Sequence, residues 1–134
     1  MSLSVLIADH SASDRESLIS AMPDHWDVTL SEASTGNEAL AACSRGHASV
    51  LFLDLMLPGM TGLELIEALQ RVNAATTVII VSDEAPAALR GQIRASGAVA
   101  FVEKPVRREA LESVLTACGL YVETAENEAD FAFA

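Results

Sequence analysis

Five short apolar runs, each followed by a segment of helical periodicity, leave this chain few folds to choose from. The runs are residues 5–8 (Val-Leu-Ile-Ala), 27–31, 50–53 (Val-Leu-Phe-Leu), 78–81 (Val-Ile-Ile-Val) and 99–102. Four large apolar residues in a row suit a strand buried on both faces. Residues 27–31 (Asp-Val-Thr-Leu-Ser) alternate polar with apolar, the mark of a half-exposed edge strand. Pairs with capping-box spacing open three of the intervening helices: Ser13 with Glu16, Thr35 with Glu38, and Thr61 with Glu64. Leu65, Ile66, Leu69 and Val72 then form one apolar stripe, and Leu111, Val114, Leu115 and Cys118 another. The helix over residues 86–96 stops at Gly97 and the last helix at Gly119.

Strands that alternate with helices pair in parallel, with right-handed crossovers and helices on both faces. The expected class is α/β: a doubly wound five-stranded parallel sheet of flavodoxin-like (βα)5 type. An edge position for the second run favours strand order 2-1-3-4-5, with the switch point between the first and third strands. Those two strands end at Asp9 and Asp54, and the fourth and fifth end at Ser82 and Lys104. Ligands of open α/β sheets bind outside the carboxyl ends of the strands, so four polar residues converge on one mouth.

Composition narrows the function. A chain of 134 residues with 51% hydrophobic content suits one domain and is too apolar for a disordered segment. We place that domain at residues 1–119 and an acidic C-terminal extension or start of a linker at residues 120–134. The net charge of −11 argues against nucleic-acid binding and suits a cation at an acidic site. No apolar run reaches the ~18 residues that a membrane span needs. Cys43 and Cys118 form no CxxC and read as reduced packing thiols, so a cytoplasmic location is expected. His25, His47 and Trp26 read as loop or surface residues without metal spacing, and Arg107-Arg108 as a solvated pair.

The chemistry lies at the mouth. Paired carboxylates repel unless a cation or proton intervenes. A hard ion such as Mg²⁺ takes oxygen ligands and keeps waters, which suits a shallow acidic cleft. A lysine adds fixed positive charge and a serine adds a donor. Such a set can hold the oxygens of a phosphoryl group around an attacked carboxylate, Asp54, a known mode of covalent catalysis.

Asp9, the stretch Asp54-Leu55-Met56-Leu57-Pro58-Gly59-Met60-Thr61-Gly62, Val81-Ser82 and Phe101-Val102-Glu103-Lys104-Pro105 resemble the receiver domain of two-component response regulators. The resemblance runs from about Ser4 to Gly119. It implies that Asp54 is the phosphoacceptor and that Ser82 is the switch hydroxyl. It implies further that Lys104 contacts the phosphoryl group before a cis bond to Pro105, and that Phe101 turns inward as Ser82 moves. Asp9, Asp54 and the Met56 backbone carbonyl would hold Mg²⁺. The phosphoryl donor would be a sensor histidine kinase or a histidine phosphotransfer protein. The response would be read by a downstream effector, or by a dimer formed through the face of the fourth helix, fifth strand and last helix. Self-phosphorylation and autodephosphorylation at Asp54 would be the extent of its catalysis.

Two positions depart from the family pattern. His10 stands where the family has the acid that touches the metal, and imidazole is a poorer ligand for Mg²⁺ than a carboxylate. Asp83 stands where a small residue is usual; it is placed with Ser82 and Lys104 in the phosphate-binding set, where it adds negative charge or serves as a surrogate acid. The expectation is weakened but retained phosphorylation. The alternative is a pseudo-receiver that acts as a phosphorylation-independent interaction module. A protonated His10 standing in for part of the metal's charge is a third reading. A haloacid-dehalogenase-type phosphatase would want a second acid where Met56 stands. A nucleotide binder would want a phosphate loop where Asp9-His10-Ser11 stands.

Overall fold

Each apolar run becomes a strand in the computed structural model, which describes residues 2–83 and 87–122. Strands β1 (Leu3–Ala8), β2 (Val28–Ala33), β3 (Val50–Leu53), β4 (Thr77–Ser82) and β5 (Ala100–Glu103) alternate with helices. The helices are α1 (Ala12–Ala21), α2 (Gly36–Ser44), α3 (Gly62–Arg71), α4 (Ala87–Ala95) and α5 (Arg108–Ala117). The sheet order is β2-β1-β3-β4-β5, and every pairing is parallel. The fold is thus the expected doubly wound, flavodoxin-like (βα)5 sheet.

Alternate side chains along the inner strands feed two cores. Leu6, Leu51, Leu53 and Ile80 face one side, where Cys43 of α2, Leu65, Ile66 and Leu69 of α3 and Ile93 of α4 cover them. Val5, Ile7, Val50, Phe52, Ile79 and Val81 face the other side, beneath Leu18 of α1 and Leu111 and Leu115 of α5. Burying this apolar area is what holds the helices on the sheet. Trp26 belongs to the second side. Its ring meets Phe52 edge-on at 6.4 Å, and its Nε1–H donates to the Leu120 carbonyl at 2.8 Å. Trp26 lies on the loop between α1 and β2, as expected, but its ring is half-buried against the second core rather than left in solvent. Cys43 and Cys118 are free thiols, and burial pushes the Cys43 thiol up.

Three local expectations need correction. Helix α1 is capped by Ser11 rather than Ser13: the Asp14 N–H donates to Ser11 Oγ at 3.2 Å. Asp9 causes this, because its Oδ1 accepts the Ser11 N–H at 2.9 Å and turns the chain into the helix two residues early. Thr35 caps α2 through the Glu38 N–H, whereas the reciprocal box forms only at Thr61 and Glu64. Strand β2 is more exposed than a half-buried edge, with Ala33 its one buried residue. The start of the fourth helix at residue 86, and the acidic tail from residue 123 onward, lie outside the described residues.

Candidate functional site

The site residues are placed by the sheet's own ladder, continued one step past the strands. The Asp9 N–H donates to the Ala33 carbonyl at 3.0 Å, and the Asp54 N–H to the Ala8 carbonyl at 3.0 Å. The Lys104 N–H donates to the Ser82 carbonyl at 2.8 Å. Each side chain therefore leaves the backbone from a fixed register position at the carboxyl edge. Gly62 tightens the loop after β3. Its N–H donates to the Leu55 carbonyl at 2.8 Å, and a Cβ there would stand 2.8 Å from Leu55 Cα and 2.9 Å from the Asp54 carbonyl oxygen. The spacing from Asp54 through Pro58 to Gly62 thus ends on a residue that must lack a side chain.

Asp9, Asp54 and Ser82 are the buried polar residues of the described chain, at 5%, 6% and 6% exposure. Burying two carboxylates side by side is costly unless they are paired. Lys104 pairs them: its Nζ donates to Asp9 Oδ2 at 2.7 Å and to Asp54 Oδ2 at 2.8 Å. A third bond runs to Asp14 Oδ2 at 2.9 Å. Burial alone would lower the Lys104 pKa. Hydrogen bonds to Asp54, Asp9 and Asp14, with the Asp54 charge, outweigh it and raise the ammonium above its ordinary value of 10.5. Asp54 Oδ1 accepts the Met56 N–H at 2.9 Å and the Ser82 hydroxyl at 3.3 Å. No buried side-chain polar atom among the described residues lacks a partner.

Of the residues singled out in the sequence, Asp9, Asp54, Ser82 and Lys104 meet directly. His10 lies at the rim, 57% exposed, with Nδ1 3.8 Å from Asp9 Oδ1. Met56 is 70% exposed and touches the site through its backbone N–H. Phe101 is half-buried against the α2–α3–α4 core and lines a groove of about 380 Å³ with Lys104, Pro105, Ala110 and Val114. The Lys104–Pro105 bond is cis. Asp83 is exposed, and nothing among the described residues ties it to the site.

Two participants were missed in the sequence. Asp14 reaches Lys104, and the Arg15 guanidinium binds the Asp9 carbonyl at 2.6 Å while its Nε holds Glu32 at 2.7 Å. Both lie in the first turn of α1, directly after a strand that ends in an acid. That adjacency was the available signal.

Ligand atoms of Asp9, His10 and Asp54 lie within 4.8 Å of one another, the one such grouping among the described residues. The two carboxylates suit a hard divalent cation, whereas the imidazole suits a softer one.

The profile described as the response regulator receiver domain matches residues 5–116. A protein-glutamate methylesterase/protein-glutamine glutaminase of Paramagnetospirillum magneticum is 35% identical over 104 residues, which are 77% of this chain and 29% of that protein. The transcriptional regulatory protein ResD of Bacillus subtilis is 29% identical over 75% of this chain and 41% of its own length. The chain thus spans well under half the length of these curated relatives. Among solved structures, the response regulator domain of Thermotoga maritima CheB superposes with TM-score 0.74 at 27% identity, covering 91% of this chain and 100% of that one. The Vibrio cholerae chemotaxis protein CheY4 gives TM-score 0.73 at 26% identity, covering 87% and 98%. No helix of the described residues is long and apolar enough to cross a membrane.

Proposed function

The chain belongs to the response regulator receiver domain family of two-component signalling, and from that premise we propose that Asp54 accepts a phosphoryl group from a phosphohistidine donor. The observation that carries this is a buried carboxylate met by an ammonium at 2.8 Å and a hydroxyl at 3.3 Å, with a second acid sharing the ammonium. One Asp54 oxygen forms the new O–P bond as the P–N bond of the donor breaks, and the electron pair of that bond returns to the donor imidazole. Lys104 donates to the phosphoryl oxygens and offsets their developing charge. Ser82 turns its hydroxyl from Asp54 toward a phosphoryl oxygen. Asp9, Asp54 and the Met56 carbonyl would hold Mg²⁺, which supplies charge neutralisation when bound.

The modification adds about −1.5 to −2 charge. Drawing Ser82 and Lys104 toward it repacks Phe101 and the α4–β5–α5 face, which an effector or a second copy reads. Moving such an element from mostly off to mostly on takes about 5.5 kcal/mol of differential stabilisation. The relatives are longer proteins, so the donor, the output and any further activity of the whole protein belong to this proposal. A second reading is favoured by His10: an acid is lost at the rim, as in a module that partners read without phosphate.

Intact-mass spectrometry after incubation with acetyl phosphate, with and without Mg²⁺, tests the two readings. A cation-dependent gain of one phosphoryl group, absent in Asp54→Asn, is the expected result. No gain in any divalent cation would leave the phosphate-independent module.

A further inference from the structure

His10 changes the character of the cation site, and this inference rests on the receiver reading above. We infer that the mouth takes a borderline first-row transition cation of the Mn²⁺ or Co²⁺ class in preference to Mg²⁺, with the His10 imidazole as the third side-chain ligand beside Asp9 and Asp54. Ligand atoms of the three lie within 4.8 Å of one another. The ring is half in solvent, and among the described residues its one polar contact is the 3.8 Å approach to Asp9 Oδ1. It is therefore free to turn toward an ion without giving up a hydrogen bond.

Charge points the same way. Asp9, Asp14 and Asp54 surround the single Lys104 ammonium, an excess of two negative charges that a divalent cation neutralises. A carboxylate in place of His10 would raise that excess to three and favour any hard cation. The neutral imidazole forgoes this Coulomb attraction and offers a nitrogen lone pair instead. Mg²⁺ dehydrates reluctantly and selects oxygen. Transition cations gain from imidazole in the Irving–Williams order. The substitution thus costs Mg²⁺ more than it costs Co²⁺ or Mn²⁺. Among the described residues the other two histidines, His25 and His47, belong to no such grouping.

Isothermal titration of the unphosphorylated full chain with MgCl₂ and with CoCl₂, at about pH 8 where an ordinary imidazole is neutral, reads the preference directly. The wild type is expected to bind Co²⁺ roughly tenfold or more tighter than Mg²⁺. His10→Asp should narrow that ratio by strengthening Mg²⁺. His10→Ala should narrow it by weakening Co²⁺, with a shift of the visible Co²⁺ band as a nitrogen ligand leaves. A His25→Ala/His47→Ala background should keep the wild-type ratio. His10 is exposed, so both variants keep the fold, and far-ultraviolet circular dichroism checks this. A ratio unchanged in both His10 variants overturns the inference even if Asp54 is labelled normally. A His10-dependent ratio in a chain that Co²⁺ and Mg²⁺ both fail to make labelable upholds it and overturns the phosphoacceptor reading alone.

Discussion

The centre of the sheet and its α4–β5 flank each supply part of the site, but they are built to different standards. Strands β1 and β3 are sealed on both faces, with Val5, Val50, Leu51 and Leu53 at 0% exposure, and they end in the two buried acids. On the flank, α4 buries Ile93 alone, β5 buries Val102 alone, and Phe101 is half-buried. The centre holds Asp9 and Asp54 by short backbone bonds close to the main chain. The flank reaches in with Lys104, a long flexible arm. An acceptor needs a fixed position, and a responder needs a low cost of rearrangement. Segments with few buried contacts open at lower free energy, and here those segments carry Phe101 and Lys104, two of the three residues proposed for the response, while the third, Ser82, ends the buried strand β4.

The largest test of this contrast is a pair of truncations. Leu51→Ala should cost about 4 kcal/mol, near the upper end for a sealed core site, and Ile93→Ala about 2 kcal/mol, because α4 can settle into the gap. Urea melts measure both, and equal losses would erase the distinction between centre and flank.

A smaller effect sharpens the account of the centre. Gly62→Ala pushes a Cβ to within 2.9 Å of the Asp54 carbonyl and 2.8 Å of Leu55 Cα. It should cost about 1–3 kcal/mol and slow Asp54 labelling several-fold, which timed mass spectrometry would show. Unchanged labelling would mean that the acceptor tolerates movement of its own loop.

The smallest effect concerns the arm from the flank. Asp14 is 43% exposed, so Asp14→Asn should change stability by less than about 1 kcal/mol. Its mark is in the alkaline limb. A lysine whose folded pKa is raised contributes stability that is complete below its unfolded value and is lost as pH rises through the folded one. That loss therefore lies above 10.5 in the wild type. Removing one of the three carboxylates that raise it should bring the loss to lower pH, as a nuclear magnetic resonance titration of the Lys104 side chain would record. An unmoved titration would mean that Asp9 and Asp54 suffice to hold the ammonium.

How much of this was legible in the sequence follows from the range of each interaction. The strands β1, β3 and β4 announce themselves because four consecutive apolar residues have few other uses, and the order 2-1-3-4-5 follows once residues 27–31 are read as an edge. Asp54, Ser82 and Lys104 are found because each sits where such a run stops. Asp14 is hidden because its partner is 90 residues away and its own surroundings read as an ordinary helix start. The α1 cap was misplaced because Ser11 and Ser13 are equally good caps locally. Asp9, by binding the Ser11 N–H, decides between them. The loop position of Trp26 is legible, but its packing is not, because its anchor, the Leu120 carbonyl, lies 94 residues away.

The extended rungs that fix Asp9, Asp54 and Lys104 also govern when the protein can first respond. Side chains alternate across a strand with a period of two, so a slip of one residue in any of these pairings turns the site residue away from the mouth. There is no partial version of the acceptor that a loosely collapsed chain could present. If Asp54 is the acceptor proposed above, a donor searching among newly made copies would find a target only on those whose five strands have locked in step, so readiness to receive a signal would certify that folding is complete.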